Sequence, residues 1–317
     1  MDNINWIIVI LNILAGLVLF LFGVSNMSEN MKSMASDKLK RILGKSSNNI
    51  FIGILTGAIA TTVLDSSSVV IIMIITMVNS ELLSSRQAFG IILGSNIGTT
   101  VGSQIIAFNM AEYSTIPLLI GFVIFISTKT EKTKLIGKSI FSLGLIFFGL
   151  NYIGTSVGPL KSMDSFSNLM TQIENPYKGA LTGAITSFVI QSSSATIGII
   201  ISLANQSLIN LSAAVAVMIG SEIGTCSDTL IASIGRSRDA LRAGVFHLLF
   251  NLVSVFLALF LIKPFIALVN LISGETSLSR HIAIAHLTFN VLGVLLFISL
   301  VPMISKMLIK LIPEKRI

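Results

Sequence analysis

Long apolar runs alternate with short charged stretches along this chain, and the runs are of two kinds. Seven, at roughly 4–27, 88–108, 112–128, 137–157, 212–234, 243–262 and 281–304, read as membrane-crossing helices, a crossing taking about 20 residues. Two others, 50–80 and 176–206, are split: about 14 apolar residues, a polar tetrad, then about 11 more. The tetrads are Asp65-Ser66-Ser67-Ser68 and Gln191-Ser192-Ser193-Ser194. At a rise of about 1.5 Å per residue neither arm spans alone. Each split segment is therefore a re-entrant hairpin that brings its tetrad near mid-membrane, or one spanning helix broken at the tetrad.

Residues 53–107 recur at 179–233 with a constant offset of 126, and 22 of the 55 aligned positions are identical. Small and hydroxylated residues are what survive. Thr56-Gly57-Ala58-Ile59 returns as Thr182-Gly183-Ala184-Ile185, both serine triplets coincide, and Gly94-Ser95 with Ile97-Gly98-Thr99 returns as Gly220-Ser221 with Ile223-Gly224-Thr225. At the same offset Phe20-Leu21-Phe22-Gly23 stands against Ile146-Phe147-Phe148-Gly149, so the first run reads as a retained helix rather than a signal peptide. The expected organisation is one membrane domain over 1–317: repeat 1 at about 4–128, repeat 2 at about 134–262, and an extra helix at about 281–304. Repeats whose hydrophobic segments are interrupted at corresponding positions point to a transporter's binding site.

Charge chooses between the two topologies. Hairpins place 17 of the 21 Lys and Arg on one side and 4 on the other, whereas spanning segments give 14 and 7. The positive-inside rule favours the hairpins, with three crossings between the halves, an inverted second repeat, the N-terminus outside and the C-terminus cytoplasmic. Trp6, Tyr113, Tyr152 and Tyr177 fall at segment ends, where interfacial aromatics sit, and the charged stretch 28–49 reads as a cytoplasmic amphipathic connector. Composition agrees: 53% hydrophobic, 11% charged and a mean hydropathy of +0.90 describe a bilayer protein. The net charge of +7 lies between apolar segments, which argues against nucleic acid. One cysteine, Cys226, excludes an intramolecular disulfide.

The tetrads carry the most chemistry. Three hydroxyls at a helix break, with the freed backbone N–H groups of the following half-helix, make an oxyanion-binding arrangement. Irregular backbone at membrane depth must be buried in protein or line a wet cavity, so the two breaks are expected to face each other. In Gly94-Ser95-Asn96-Ile97-Gly98-Thr99-Thr100 and Gly220-Ser221-Glu222-Ile223-Gly224-Thr225-Cys226, two glycines four apart suit an unwound stretch. Its carbonyls and side-chain oxygens would hold a small hard cation such as sodium; the alternative is close helix packing. His247 with Asn251, and His286 with Asn290, share helix faces and read as interhelical hydrogen-bonding pairs.

These residues resemble the type II sodium-phosphate cotransporters and their bacterial relatives, which carry QSSS in each of two inverted repeats, each followed by a G-A-N-I-G-T-T-like motif. QSSSAT at 191–196 matches outright and GSNIGTT at 94–100 closely, and the resemblance spans about residues 10–300. It implies an all-α polytopic membrane protein with two inverted-topology repeats, each with a re-entrant hairpin and a discontinuous helix. It also implies sodium-coupled symport of inorganic phosphate by alternating access in the bacterial cell (inner) membrane, without enzyme activity and without a cofactor beyond coupling sodium. By that resemblance Ser66, Ser67, Ser68, Gln191, Ser192, Ser193 and Ser194 bind phosphate, while Asn96, Thr99, Thr100, Gln191 and Thr225 serve the cation.

Three residues depart from the family pattern. Asp65 replaces Gln, Glu222 replaces Asn, and Asp228 follows shortly after. Ionisable residues at membrane depth are costly and by default functional, so Asp65 and Glu222 join the expected cation ligands. The alternative places them near the interface or in pairs with Arg236 or Arg238. Coupling to protons, another small anion, a channel, a signalling subunit and homodimerisation stay open; neither tetrad has a neighbouring His in sequence to support a hydrolase.

Overall fold

The computed structural model describes residues 5–44, 49–108 and 110–314, and among these the regular structure is entirely helical. Of the charges counted above, Lys45, Lys315 and Arg316 lie outside the described residues. In chain order, α1 (Trp6–Gly44) is followed by the split pair α2 (Ile50–Leu64) and α3 (Ser67–Asn79), then α4 (Ser85–Ile106), α5 (Thr115–Ser127) and α6 (Glu131–Ser156). After α7 (Asp164–Ile173) the succession of shapes returns. A second split pair, α8 (Pro176–Ile190) and α9 (Ser193–Asn205), leads into α10 (Leu211–Gly224), its continuation α11 (Cys226–Ser233), and α12 (Arg238–Phe260). Two further helices, α13 (Ile262–Ser273) and α14 (Leu278–Leu311), complete the chain.

Six stretches among the described residues are long and apolar enough to cross a membrane: Trp6–Met34, Ser85–Ile106, Glu131–Ser162, Leu211–Ser233, Arg238–Phe260 and Leu278–Leu311. The seventh expected crossing, 112–128, falls short. A 3-10 turn takes Met110–Tyr113, and the helix that follows has 13 residues. The connector expected at 28–49 is also different, because α1 runs on unbroken to Gly44. No Pro or Gly interrupts 28–43, so the helix has no reason to stop.

The split pairs start alike. Asn49 caps α2 by accepting the Phe51 amide at 2.9 Å, and Asn175 caps α8 by accepting the amides of Tyr177 and Lys178, with Pro176 in the first turn. Each first arm then runs alongside the long helix of its own repeat, at contact too close for side chains. A methyl group at Gly57 would fall 2.0 Å from the Ile91 carbonyl oxygen, and one at Gly94 would fall 1.9 Å from that of Ile54. The second repeat gives 1.9 Å from Gly183 to Val217 and 1.9 Å from Gly220 to Ala180. All four contacts map onto one another at the offset of 126.

These contacts also fix direction. Gly53 meets Gly90 and Asp65 meets Gly102, so α2 runs parallel to α4. Were α3 to continue in that direction, its end would lie roughly 40 Å from the start of α4. The chain from Asn79 to Ser85 spans at most about 22 Å, so it turns back at the tetrad. The same reasoning applies to α8, α9 and α10.

The two turned-back pairs enter from opposite ends of α4. Where α3 ends, Asn79 accepts the Ser237 amide at 2.8 Å and Thr76 accepts a hydrogen bond from Arg236 at 2.9 Å, both beside the start of α12. Where α9 ends, Ser202 donates to the Leu150 carbonyl at 2.9 Å, and Asn205 and Gln206 share a cavity wall with Ile106 at the far end of α4. Helices α1 and α6, counterparts in the repeat, pack antiparallel with Gly16 on Ile153 and Gly23 on Ile146. Tyr152 lies half-buried in this seam and donates to Asn12 at 3.1 Å.

Candidate functional site: the cavity between the two tetrads

The backbone makes the same move at both breaks. Asp65 ends α2 at φ 51°, ψ 30°, and Gln191 ends α8 at φ 57°, ψ 32°. The left-handed region costs a non-glycine residue roughly 1–2 kcal/mol and reverses the chain within one residue. The next serine is extended in each case, Ser66 at φ −156° and Ser192 at φ −154°. Its hydroxyl caps the following helix by accepting the amide of Val69 (3.3 Å) or Ala195 (3.1 Å). The amides of Ser67, Ser68, Ser193 and Ser194 belong to first turns and have no carbonyl partner within their helices.

Both tetrads, all eight residues, line one cavity of about 530 Å³. Thr225 adds a hydroxyl from the single-residue break between α10 and α11. The rest of the polar wall comes from α1, which contributes Ser25, Ser28, Glu29 and Lys32. Lys32 is a residue that sequence reasoning missed. It lies in a stretch read as connector, and only the unbroken α1 carries it to the mouth of the site.

Asp65 has no hydrogen-bond or ion-pair partner among the described residues, and its Oδ1 sits over Gly102 of α4. Asp228 is tied in: its carboxylate accepts from the Thr229 amide at 2.6 Å and lies near the Ser68 hydroxyl. A carboxylate of the second repeat thereby stands beside the first repeat's tetrad.

The other cation candidates stand elsewhere. The glycine motif at 94–100 is not unwound, because α4 passes through it as continuous helix with its glycines used for packing. Ser95, Asn96, Thr99 and Thr100 are buried and donate to carbonyls of their own helix at 2.9, 2.8, 3.2 and 2.7 Å. In the second repeat the expected interruption is confined to Thr225. Glu222 is buried outside the cavity and meets neither Arg236 nor Arg238; its Oε1 lies 3.1 Å from Nε2 of His286. The Nδ1 of His286 in turn lies 2.9 Å from Ser103.

Comparison with known proteins places the chain in a family. It is 29% identical over 309 residues to YqeW of Bacillus subtilis, an uncharacterised protein, covering 97% of this chain and all of that one. It is 22% identical over 295 residues to the "Putative inorganic phosphate export protein YjbB" of Escherichia coli K12, covering 92% of this chain and 54% of that one. With the human "Sodium-dependent phosphate transport protein 2B" it shares 29% identity over 136 residues, 39% of this chain and 20% of that one. The chain thus spans about half the length of the Escherichia coli relative and a fifth of the human one. No solved structure matches it. The Na+/Pi-cotransporter family matches in two stretches, residues 19–155 and 161–299, which together cover most of the sequence. This membrane protein therefore belongs to the Na+/Pi-cotransporter family.

Proposed function

We infer that the protein is a secondary transporter that carries inorganic phosphate through the cavity between the tetrads, coupled to sodium. The observation that carries this reading is the convergence of Ser66–Ser68 and Ser192–Ser194 on one cavity, at the starts of two helices. Each helix start bears about half a positive charge and unpaired first-turn amides. Serine hydroxyls add donors, and Lys32 adds a full charge at the mouth. A cavity of 530 Å³ holds on the order of fifteen waters at about 30 Å³ each, enough for one phosphate with part of its hydration.

The cation is assigned to the same cavity, with Asp65 as its charged ligand and Gln191 and Thr225 beside it. An uncompensated carboxylate would repel phosphate, and a bound sodium ion removes that repulsion, which couples the two ligands. Asn96, Thr99, Thr100 and Glu222 reach the ion only in a state where α4 and α10 rearrange.

In this reading the two split pairs are re-entrant hairpins of inverted repeats in a single transport domain. The two matched stretches of the family and the entry of the hairpins from opposite ends of α4 both support it. Lys132 and Arg236 are placed in the cytoplasm and Glu112 and Asp164 outside, which requires the short α5, packed antiparallel along α6, to carry the chain across, and the site alternates between the two sides. Radiolabelled phosphate uptake into proteoliposomes, under imposed sodium and proton gradients, tests the reading. Saturable uptake accelerated by a sodium gradient is expected. Acceleration by protons alone would replace the coupling ion, non-saturating flux would make the protein a channel, and no flux would overturn the reading.

A further inference from the structure

The tetrad cavity does not end at the tetrads. Val24, Asp65 and Ser194 line it on one side and a second cavity, of about 230 Å³, on the other. That second space is mostly apolar, and at its far end Ile106 and Phe147 separate it from a third cavity of about 190 Å³. The third is polar again, a cup whose wall includes Glu112, Asn151 and Gln206, at the opposite end of the bundle from Lys32. Ile106 and Phe147 are themselves buried and are the residues whose side chains the two spaces share.

The repeat supplies a second, independent observation. The α1 wall of the tetrad cavity includes Leu21, Val24, Ser25 and Ser28. Advanced by 126 these become Phe147, Leu150, Asn151 and Gly154, and all four line the polar cup. The cup is therefore built from the counterparts of positions that wall the tetrad cavity.

We propose that the cup is the second mouth of the tetrad site, and that Phe147 with Ile106 is the closure separating them in this structure. The three cavities are then one route for a small hydrated ion, open at the Lys32 end and shut at the Glu112 end. Phe147 is larger than its counterpart Leu21, which suits a side chain that plugs its mouth.

This proposal rests on the transporter reading, and thiol accessibility tests it without any substrate. In a Cys226→Ser background, Ser194→Cys reports on the tetrad cavity, Ser28→Cys on the Lys32 mouth and Gln206→Cys on the cup. Each single-cysteine protein is reconstituted in vesicles and exposed to a membrane-impermeant cationic methanethiosulfonate from one side at a time. Ser28→Cys and Gln206→Cys should react from opposite sides, and Ser194→Cys only from the side that labels Ser28→Cys. Adding Phe147→Ala should make Ser194→Cys reactive from the Gln206 side, at a rate raised by about tenfold or more. Adding Phe147→Leu, which keeps an apolar plug, should raise it far less. Where Phe147→Ala fails to fold, Ile106→Ala serves the same test. Ser194→Cys that stays unreactive from the Gln206 side in a folded Phe147→Ala protein overturns the closure. So does Ser194→Cys that already reacts equally from both sides before any change. If the labelling pattern holds while phosphate flux is absent, the route stands and the substrate assignment fails.

Discussion

The Nε2 atom of His286 lies 3.1 Å from the Oε1 atom of Glu222, and the bonding at the other ring nitrogen decides what joins them. The Ser103 hydroxyl donates its one proton to the Thr100 carbonyl at 2.7 Å, so at 2.9 Å it accepts from the Nδ1–H of His286. Nε2 then faces the Glu222 carboxyl group. His286 comes from α14, Ser103 from the first repeat and Glu222 from the second, so the added helix clamps the two repeats together. His247 makes half of the same arrangement. It meets Thr229 at 2.8 Å, and Thr229 donates to the Cys226 carbonyl at 3.0 Å; both residues are the counterparts of Ser103 and Thr100 at the offset of 126.

His286→Ala should strip a buried carboxylate of its partner and lower stability by about 3–5 kcal/mol. Thermal unfolding in detergent measures it. Adding Glu222→Gln to that variant should recover part of the loss, while His247→Ala alone should cost about 1–3 kcal/mol. Equal shifts for both histidines would remove the carboxylate from the explanation.

The glycine contacts predict a second ranking. Gly94→Ala and Gly220→Ala push a methyl group into a facing carbonyl at 1.9 Å and should each cost about 1–3 kcal/mol. Gly158→Ala, whose methyl group meets nothing within 4 Å, should change little. Unfolding midpoints that do not separate these variants would refute the packing role.

Within the cavity, Ser193→Ala should reduce phosphate transport by about 5-fold to 150-fold, from about 1–3 kcal/mol per lost partner at a buried polar site, and Gln191→Ala, at an exposed position of the same tetrad, should reduce it as well. Ser254→Ala is the comparison, since its hydroxyl is buried without a partner among the described residues and lies outside the tetrad cavity. Similar losses in all three, at matched expression, would show that the tetrads serve packing.

For Lys32, an exposed charge at the mouth, the effect is on capture. Lys32→Gln should raise the phosphate KM by a few-fold, from about 0.2–1 kcal/mol, and weaken the dependence of uptake on ionic strength. Lys32→Arg should retain both. An unchanged KM in Lys32→Gln would leave the lysine with a role in orientation alone.

Asp65→Asn removes a tetrad carboxylate that lines the cavity and has no partner among the described residues. Uptake by this variant should lose its dependence on the driving cation, seen as a flattened sodium response. A sodium curve identical to that of the unmodified protein would separate Asp65 from coupling.

The sequence made the tetrads and the duplication visible because a break inside an apolar run interrupts a simple pattern, and because Ser66–Ser68 and Ser192–Ser194 sit at the same offset as everything around them. It did not show that α4 runs straight through Gly94–Thr100. A glycine that lets two backbones touch and a glycine that lets a helix unwind look the same until the neighbour, here Ile54, is in place. Lys32 was hidden by its surroundings, since a basic residue in a charged stretch reads as topology. The partnership of His286 with Glu222 joins positions 64 residues apart and leaves no periodic trace.

Two identical halves would make the two open states of such a molecule equal in free energy, with no preferred resting side. The halves here differ in charge: Glu29, Lys32 and Asp65 of the first repeat stand against Thr155, Gly158 and Gln191, while Glu222 and Asp228 of the second stand against Asn96 and Gly102. Any differential interaction of about 1.4 kcal/mol between the two states shifts their populations tenfold. In the transporter reading such differences between the repeats set the resting side, and with it the easier direction of loading, and exchanging residues between the repeats would shift it.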